Sequence, residues 1–149
     1  MANLTGKSNA DQTSILKLIF QATAIANLAA NGASPITNIY VALHTADPTQ
    51  AGDQTSSEAT YTGYARVAVA RTSAGWTVSG TAPTQCVNAA SITFPLCTGG
   101  SNTITNFSVG MAASGASVAL YGGPLTASLA VSNGITPNIA SGALVITEA

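Results

Sequence analysis

The stretch "YVALHTADPTQAGDQTSSEATYTGYARVAVAR", residues 40–71, decides how this chain is read. It holds the only histidine of the sequence, three of its five acidic residues and both of its arginines. It also begins and ends in alternating patterns. Before the central loop, Ile39, Val41 and Leu43 fall on one parity and Tyr40, Ala42 and His44 on the other. After it, Tyr64 and Arg66 share a parity against Gly63, Ala65, Val67 and Val69. Alternation at a period of two describes a strand with two different faces. The reading is therefore strand, long loop, return strand, with most of the charge of the protein gathered where the two meet.

Outward from this stretch the same period continues. "TNIYVALHT", "WTVSG", "QCVNAASITF", "NTITNFSVGM", "SVALYGG", "ASLAVSN" and "ALVITEA" read as short strands, separated by "TSAG", "CTGGSN", "AASGAS", "GGP", "SNG" and "ASG". Short strands at near-regular spacing with Gly, Pro, Asn and Ser between them predict an antiparallel β-sandwich of jelly-roll type. One segment departs from this pattern. In "DQTSILKLIFQATAIANLAANG", Ile15, Leu18, Ile19, Ala22 and Ile25 or Ala26 follow helical spacing. Asp11 or Thr13 would cap its start, and Gly32 would supply the left-handed stop. The expected organisation is an N-terminal arm with one amphipathic helix over residues 1–35 and a β-sandwich over 36–149, together one compact domain.

Composition limits the function. Charged residues make up 6% of the 149, against roughly 25% in an ordinary soluble domain. Ser (15) and Thr (20) supply the polar surface instead. The four cations are Lys7, Lys17, Arg66 and Arg71, too few and too scattered to neutralise a run of phosphates, so no nucleic-acid partner is expected. The apolar stretch 15–30 is interrupted by Lys17, Gln21 and Asn27, so no membrane partner is expected, and from the polar stretch at the N-terminus no secretion signal is expected either. With one histidine and no C-x-x-C pair, no metal or other cofactor is expected. Cys86 and Cys97 read as free structural thiols.

An enzyme reading of the opening stretch is weak. A hydrolase would use His44 as base with Asp47 to orient it, yet no G-x-S-x-G elbow occurs and nothing in sequence marks a serine partner. A glycosidase needs two carboxylates across a cleft, whereas Asp47, Asp53 and Glu58 all belong to one loop. The residues read better as a structural clamp. Arg66 is placed to grip a carboxylate, Asp47 or Glu58, with its planar fork, tying the loop back to the sheet. His44, Tyr64 and Trp76 remain as loop or interface candidates. Trp76, beside a hairpin turn, is the one residue that would suit a carbohydrate-binding sandwich.

"LHTADP", the Glu58 before "GYARV", Trp76, "NAASITFP" and the closing "GALVIT" follow one another in an order that resembles a family of small tailed-phage virion structural proteins, labelled capsid cement or decoration proteins or tail-fibre-like proteins. The resemblance spans about residues 36–147. It implies a β-rich virion protein without catalysis, assembled in the host cytoplasm. A decoration protein stabilising the head shell is the first expectation, with the major capsid protein lattice as partner. A tail or tail-fibre component among other tail proteins is the alternative. The near-zero net charge offers copies little mutual repulsion, so a homo-oligomer is expected, and the resemblance suggests a trimer.

Overall fold

A computed structural model of the chain describes residues 9–24, 36–49, 53–80 and 83–148. Among these are one helix, α1 (Asn9–Gln21), and nine strands: β1 (Asn38–His44), β2 (Val67–Ala70), β3 (Trp76–Ser79), β4 (Thr84–Asn88), β5 (Ile92–Thr93), β6 (Ser101–Gly110), β7 (Ala119–Ser132), β8 (Asn138–Ile139) and β9 (Val145–Glu148). The mainly β, antiparallel class with a helix near the N-terminus is therefore the fold class of this protein. The chain forms two compact units built from interleaved segments. One comprises Met1–Thr37, Ala70–Ser91 and Ala140–Ala149; the other comprises Asn38–Val69 and Ile92–Ile139.

The helical unit holds the three-stranded antiparallel sheet β3-β4-β9, on which α1 packs. Its core is Leu16 and Phe20 from the helix with Trp76, Cys86, Leu144 and Ile146 from the sheet segments. Phe20 and Trp76 meet with ring centroids 4.6 Å apart, tilted by 58°. The buried helix stripe is thus Leu16 and Phe20, one turn apart, whereas the expected stripe of Ile15, Leu18 and Ile19 is only half-buried. Phe20 decides the face, because burying its ring against an indole outweighs the smaller side chains around the helix.

The helix also stops earlier than its spacing suggests. It ends at Gln21, Ala22 turns into the left-handed region (φ 53°), and the Thr23 N–H reaches back to the Lys17 carbonyl. The cause lies far along the chain. Arg71 donates to the carbonyls of Leu18 (2.6 Å) and Ile19 (2.5 Å), which are the acceptors that residues 22 and 23 would need to continue the helix. A cation at the C-terminal end also meets the negative pole of the helix dipole. The expected stop at Gly32 lies outside the described residues.

Asn88 closes the same unit. Its amide donates to the Ala90 and Ala140 carbonyls at 2.8 Å each, and its Oδ1 accepts the Leu144 N–H at 2.9 Å. The bends after Asn88 end β4 there, so "QCVNAASITF" is not one strand: Thr84–Asn88 and Ile92–Thr93 belong to different units. Cys86 and Cys97 are both free and fully buried, and burial pushes the Cys86 thiol up to about 12.

The second unit holds a four-stranded sheet in the order β2-β1-β6-β7 and the two-stranded pair β5-β8. β1 and β6 are antiparallel, with Ala42 opposite Ser108 and His44 opposite Asn106. From Val41 to His44 every residue of β1 is buried, so the strand is covered on both faces. One face is apolar, with Ile39, Val41 and Leu43 beside Phe107 and Val109; the other is polar, with His44, Ser108 and Asn106. β7 runs for 14 residues straight through Gly122, Gly123 and Pro124, where the sequence predicts a turn. Pro124 is tolerated because β7 is an edge strand. Ile104 pairs with Leu129 and Asn106 with Pro124, so residues 125–128 form a bulge. The segment 61–66, expected to be strand, is turn and irregular chain. Gly63 turns it with φ 97°, where a Cβ would lie 2.6 Å from the Leu96 carbonyl oxygen.

Replacing Arg71 by Met should remove the charged cap and leave the carbonyls of Leu18 and Ile19 to water. The expected loss is about 1–2 kcal/mol, or roughly 2–4 °C of melting temperature per kcal/mol at this chain length. Thermal unfolding measures it, and an unchanged melting temperature would show that the cap is energetically idle.

Candidate functional site

The polar face of β1 and β6 lies under the turn Asp53–Glu58, and the residues between them form one connected hydrogen-bond system. The turn shapes itself. Asp53 Oδ1 accepts the backbone N–H of Thr55 at 2.7 Å and its hydroxyl at 2.5 Å, while the Asp53 N–H donates to Ser56 Oγ at 3.1 Å. These bonds hold the exposed Asp53 carboxyl below the usual carboxylate range. The turn is then laced to β1: the Thr45 N–H donates to the Ser57 carbonyl, the Ala59 N–H to the Leu43 carbonyl, and His44 bridges to Glu58.

Arg66 is the hub. Its Nε donates to Glu58 Oε1 (2.7 Å) and its Nη2 to Glu58 Oε2 (2.9 Å), the parallel fork of a bidentate ion pair. Its Nη1 donates to Gln54 Oε1 (3.2 Å) and the Ala112 carbonyl (3.0 Å), and Nη2 donates again to the Gly115 carbonyl (2.8 Å). All five N–H donors are thereby matched. The Arg66 side chain is 1% exposed and that of Glu58 18%. Tyr64 completes the clamp: its hydroxyl donates to Glu58 Oε1 (3.0 Å) and accepts the Leu43 N–H (3.1 Å). Burial pushes the Tyr64 hydroxyl well above its ordinary value, so it stays protonated and remains a donor.

From Arg66 the bonds continue in one direction. Gln54, fully buried, accepts from Arg66 with Oε1 and donates with Nε2 to the Tyr40 carbonyl (3.0 Å) and to Ser108 Oγ (3.4 Å). Ser108 Oγ stands 2.7 Å from His44 Nε2, and His44 Nδ1 stands 2.8 Å from the Ser56 carbonyl oxygen. A carbonyl only accepts, so Nδ1 carries the proton, and Nε2 accepts the Ser108 hydroxyl. Desolvation by burial holds His44 below its ordinary value, which keeps this neutral tautomer. Gly110 makes room for the system, since a Cβ there would collide with Gln54 Oε1 and lie 2.7 Å from the Val118 carbonyl oxygen.

Of the residues singled out by sequence, the structure brings Arg66, Glu58, Tyr64 and His44 together. Asp47 is not a partner of Arg66: its Oδ1 accepts the Thr49 N–H (2.9 Å), turning the chain after β1. Trp76 belongs to the other unit, where it is fully buried, and its indole N–H has no acceptor among the described residues. It therefore presents no surface for a carbohydrate.

Gln54 and Ser108 are the residues that sequence reasoning missed. Ser108 lies 64 residues from His44 and meets it only through the β1–β6 register. The signal was a serine on the His44-like face of an alternating strand, which is too common to select. His44 and Ser108 have the contact of a Ser–His couple, but both are at 0% exposure and no carboxylate orients the ring. The arrangement fastens the 53–58 turn to the β1–β6 pair.

The chain is thus mainly β, with the polar cluster around Arg66 bonded within itself. A family model described as Podophage GP4 fiber I protein gp80 matches residues 6–147, and the chain belongs to that family. The resemblance to phage structural proteins holds at this level. No curated protein matches the chain.

Two outcomes check the cluster. Arg66→Ala should cost roughly 3–5 kcal/mol, since it leaves Glu58 and Gln54 without their donor beneath the turn. Arg66→Lys should recover only a fraction, because an ammonium cannot form the fork; full recovery in chemical denaturation would mean that charge alone matters. The second outcome is a pH dependence. Since folding lowers the His44 value, the unfolded chain binds the extra proton first, and stability present above about pH 6.5 is lost as pH falls below it. Melting curves between about pH 7 and pH 5 should show this drop in the wild type and a flatter profile in His44→Gln. Equal drops in both proteins would remove His44 as the cause.

Proposed function

We propose that this protein is a non-enzymatic structural subunit of a podophage fibre, carried in the virion and assembled in the host cytoplasm. The observation that carries the reading is the family match, which extends over nearly the whole chain and is to a fibre protein. The first expectation from sequence, a capsid cement or decoration protein on the major capsid protein lattice, has composition in its favour, and composition suits a fibre equally well. A surface built of hydroxyls and amides with net charge −1 lets copies pack closely in either setting. The cluster around Arg66 supports a mechanical role, because it fixes a loop through a donor set with no spare capacity.

In this reading the working form is a homo-oligomer, a trimer, held among other tail proteins. Antibody labelling of intact particles in the electron microscope, combined with quantitation of the chain per particle, is the test. Label on tail appendages at low copy number is the expected result. Label spread over the head at a copy number matching the shell lattice would reject the fibre reading and restore the decoration one. Light scattering on the purified chain measures the oligomer; a monomer at all concentrations would remove the trimer.

A further inference from the structure

The four-stranded sheet ends in β2 on one side and β7 on the other, and each pairs with a single strand among the described residues. An open edge is a row of N–H and C=O groups ready to pair with another chain, and proteins commonly blunt it with charge, above all lysine. Neither edge here is blunted in that way. β2 reads VAVA, and no Asp, Glu, Lys, Arg or His occurs between Arg71 and Glu148, a span that contains all of β7. β7 does carry two other devices, Pro124 and the bulge at 125–128, but both lie in its middle. Beyond them Leu129–Ser132 keeps regular register with Ser101–Ile104 of β6. That clean stretch is as long as the four-residue β2.

The two edges also match in direction. β1 is antiparallel to β6, and β6 to β7. The Arg71 N–H donates to the Thr37 carbonyl, so β2 ends where β1 begins and these two are antiparallel as well. Directions therefore alternate across the sheet, and β2 of a second copy laid beside β7 continues the alternation. The side chains permit it: Ala68 and Ala70 on β2 and Ala130 and Ser132 on β7 are small and exposed, and pairing desolvates no charge. A contact between unlike edges can repeat around a ring of three, whereas β7 against β7 would stop at a two-fold dimer. We propose that copies of this chain associate by strand addition, the Leu129–Ser132 end of β7 in one copy pairing antiparallel with β2 of the next. The inference rests on the homo-oligomer reading above and names the edges that would form it.

The test is cysteine cross-linking of the full chain under mild oxidation, with Ala68→Cys or Ala70→Cys combined in turn with Ala130→Cys or Ser132→Cys. Within one copy β2 and β7 are three strand spacings apart, about 14 Å, and a disulfide needs Cα atoms within about 7 Å, so the bond can form only between copies. The native Cys86 and Cys97 are fully buried and do not compete. At least one double variant should give disulfide-linked species up to a trimer, and Ala130→Cys or Ser132→Cys alone should give none. Ala68→Lys with Ala130→Lys should raise the concentration needed for association about fivefold in light scattering. Ala68→Glu with Ala130→Lys should restore it, and Thr77→Lys, an exposed change on β3, should have no effect. Association of the wild type without a cross-link in any double variant, a cross-linked dimer from Ala130→Cys alone, or unchanged association of the paired-lysine variant would each overturn the edge pairing and leave the homo-oligomer reading standing. A wild type that is monomeric at all concentrations would overturn both.

Discussion

The Arg66 guanidinium has five N–H donors, and each has an acceptor: two oxygens of Glu58, one of Gln54, and the carbonyls of Ala112 and Gly115. A buried cation is tolerated only when its charge is paired and its donors are filled. The rest of the second unit is arranged to meet that condition. The 53–58 turn presents Gln54 and Glu58 on the same side, Gly110 lacks a Cβ so that Gln54 fits, and Tyr64 takes the Glu58 lone pair that Arg66 leaves. Losing any one of these leaves another polar group buried without a partner. The cluster is thereby cooperative, and its directionality, from Arg66 through Gln54 and Ser108 to His44 and the Ser56 carbonyl, lets each bond polarise the next.

The economy of charge explains why this arrangement stands out. With four Lys and Arg in 149 residues, solvated surface pairs can contribute little. Both arginines instead bind main-chain carbonyls. Arg66 holds Ala112 and Gly115 in one unit, and Arg71 holds Leu18, Ile19 and Ile36 in the other. A planar fork with five donors can satisfy several carbonyls at once, which an ammonium cannot. Each arginine thus does locally what a longer regular element would otherwise do. It closes irregular backbone that the sheet ladders leave open.

Much of the fold was legible because burial in strands leaves a period of two. "TNIYVALHT" and "NTITNFSVGM" yield β1 and β6, and the parity of Tyr40, Ala42 and His44 correctly separated the polar face from the apolar one. The failures have specific causes. "GGP" reads as a turn by residue type, yet it lies within β7, since an edge strand has one side on which a missing N–H costs no ladder bond. "QCVNAASITF" keeps its alternation across the bends after Asn88, and parity alone cannot reveal that its halves go to different sheets. The helix pattern gave several acceptable faces, and the aromatic contact of Phe20 with Trp76 chose among them.

By itself, the sequence determined the fold class, the concentration of charge between residues 40 and 71, and the suitability of Arg66 for gripping a carboxylate near its loop. These follow from residue type and local spacing, which survive in any arrangement of the chain. Tertiary structure decided which carboxylate, because Asp47 is turned back on Thr49 while Glu58 is brought under the fork by the His44–Glu58 bridge. It also decided that His44 meets Ser108 and that Gln54 is buried between them. All of these depend on strand register and loop path, which set residues tens of positions apart within bonding distance, and such pairings have no signature in local sequence.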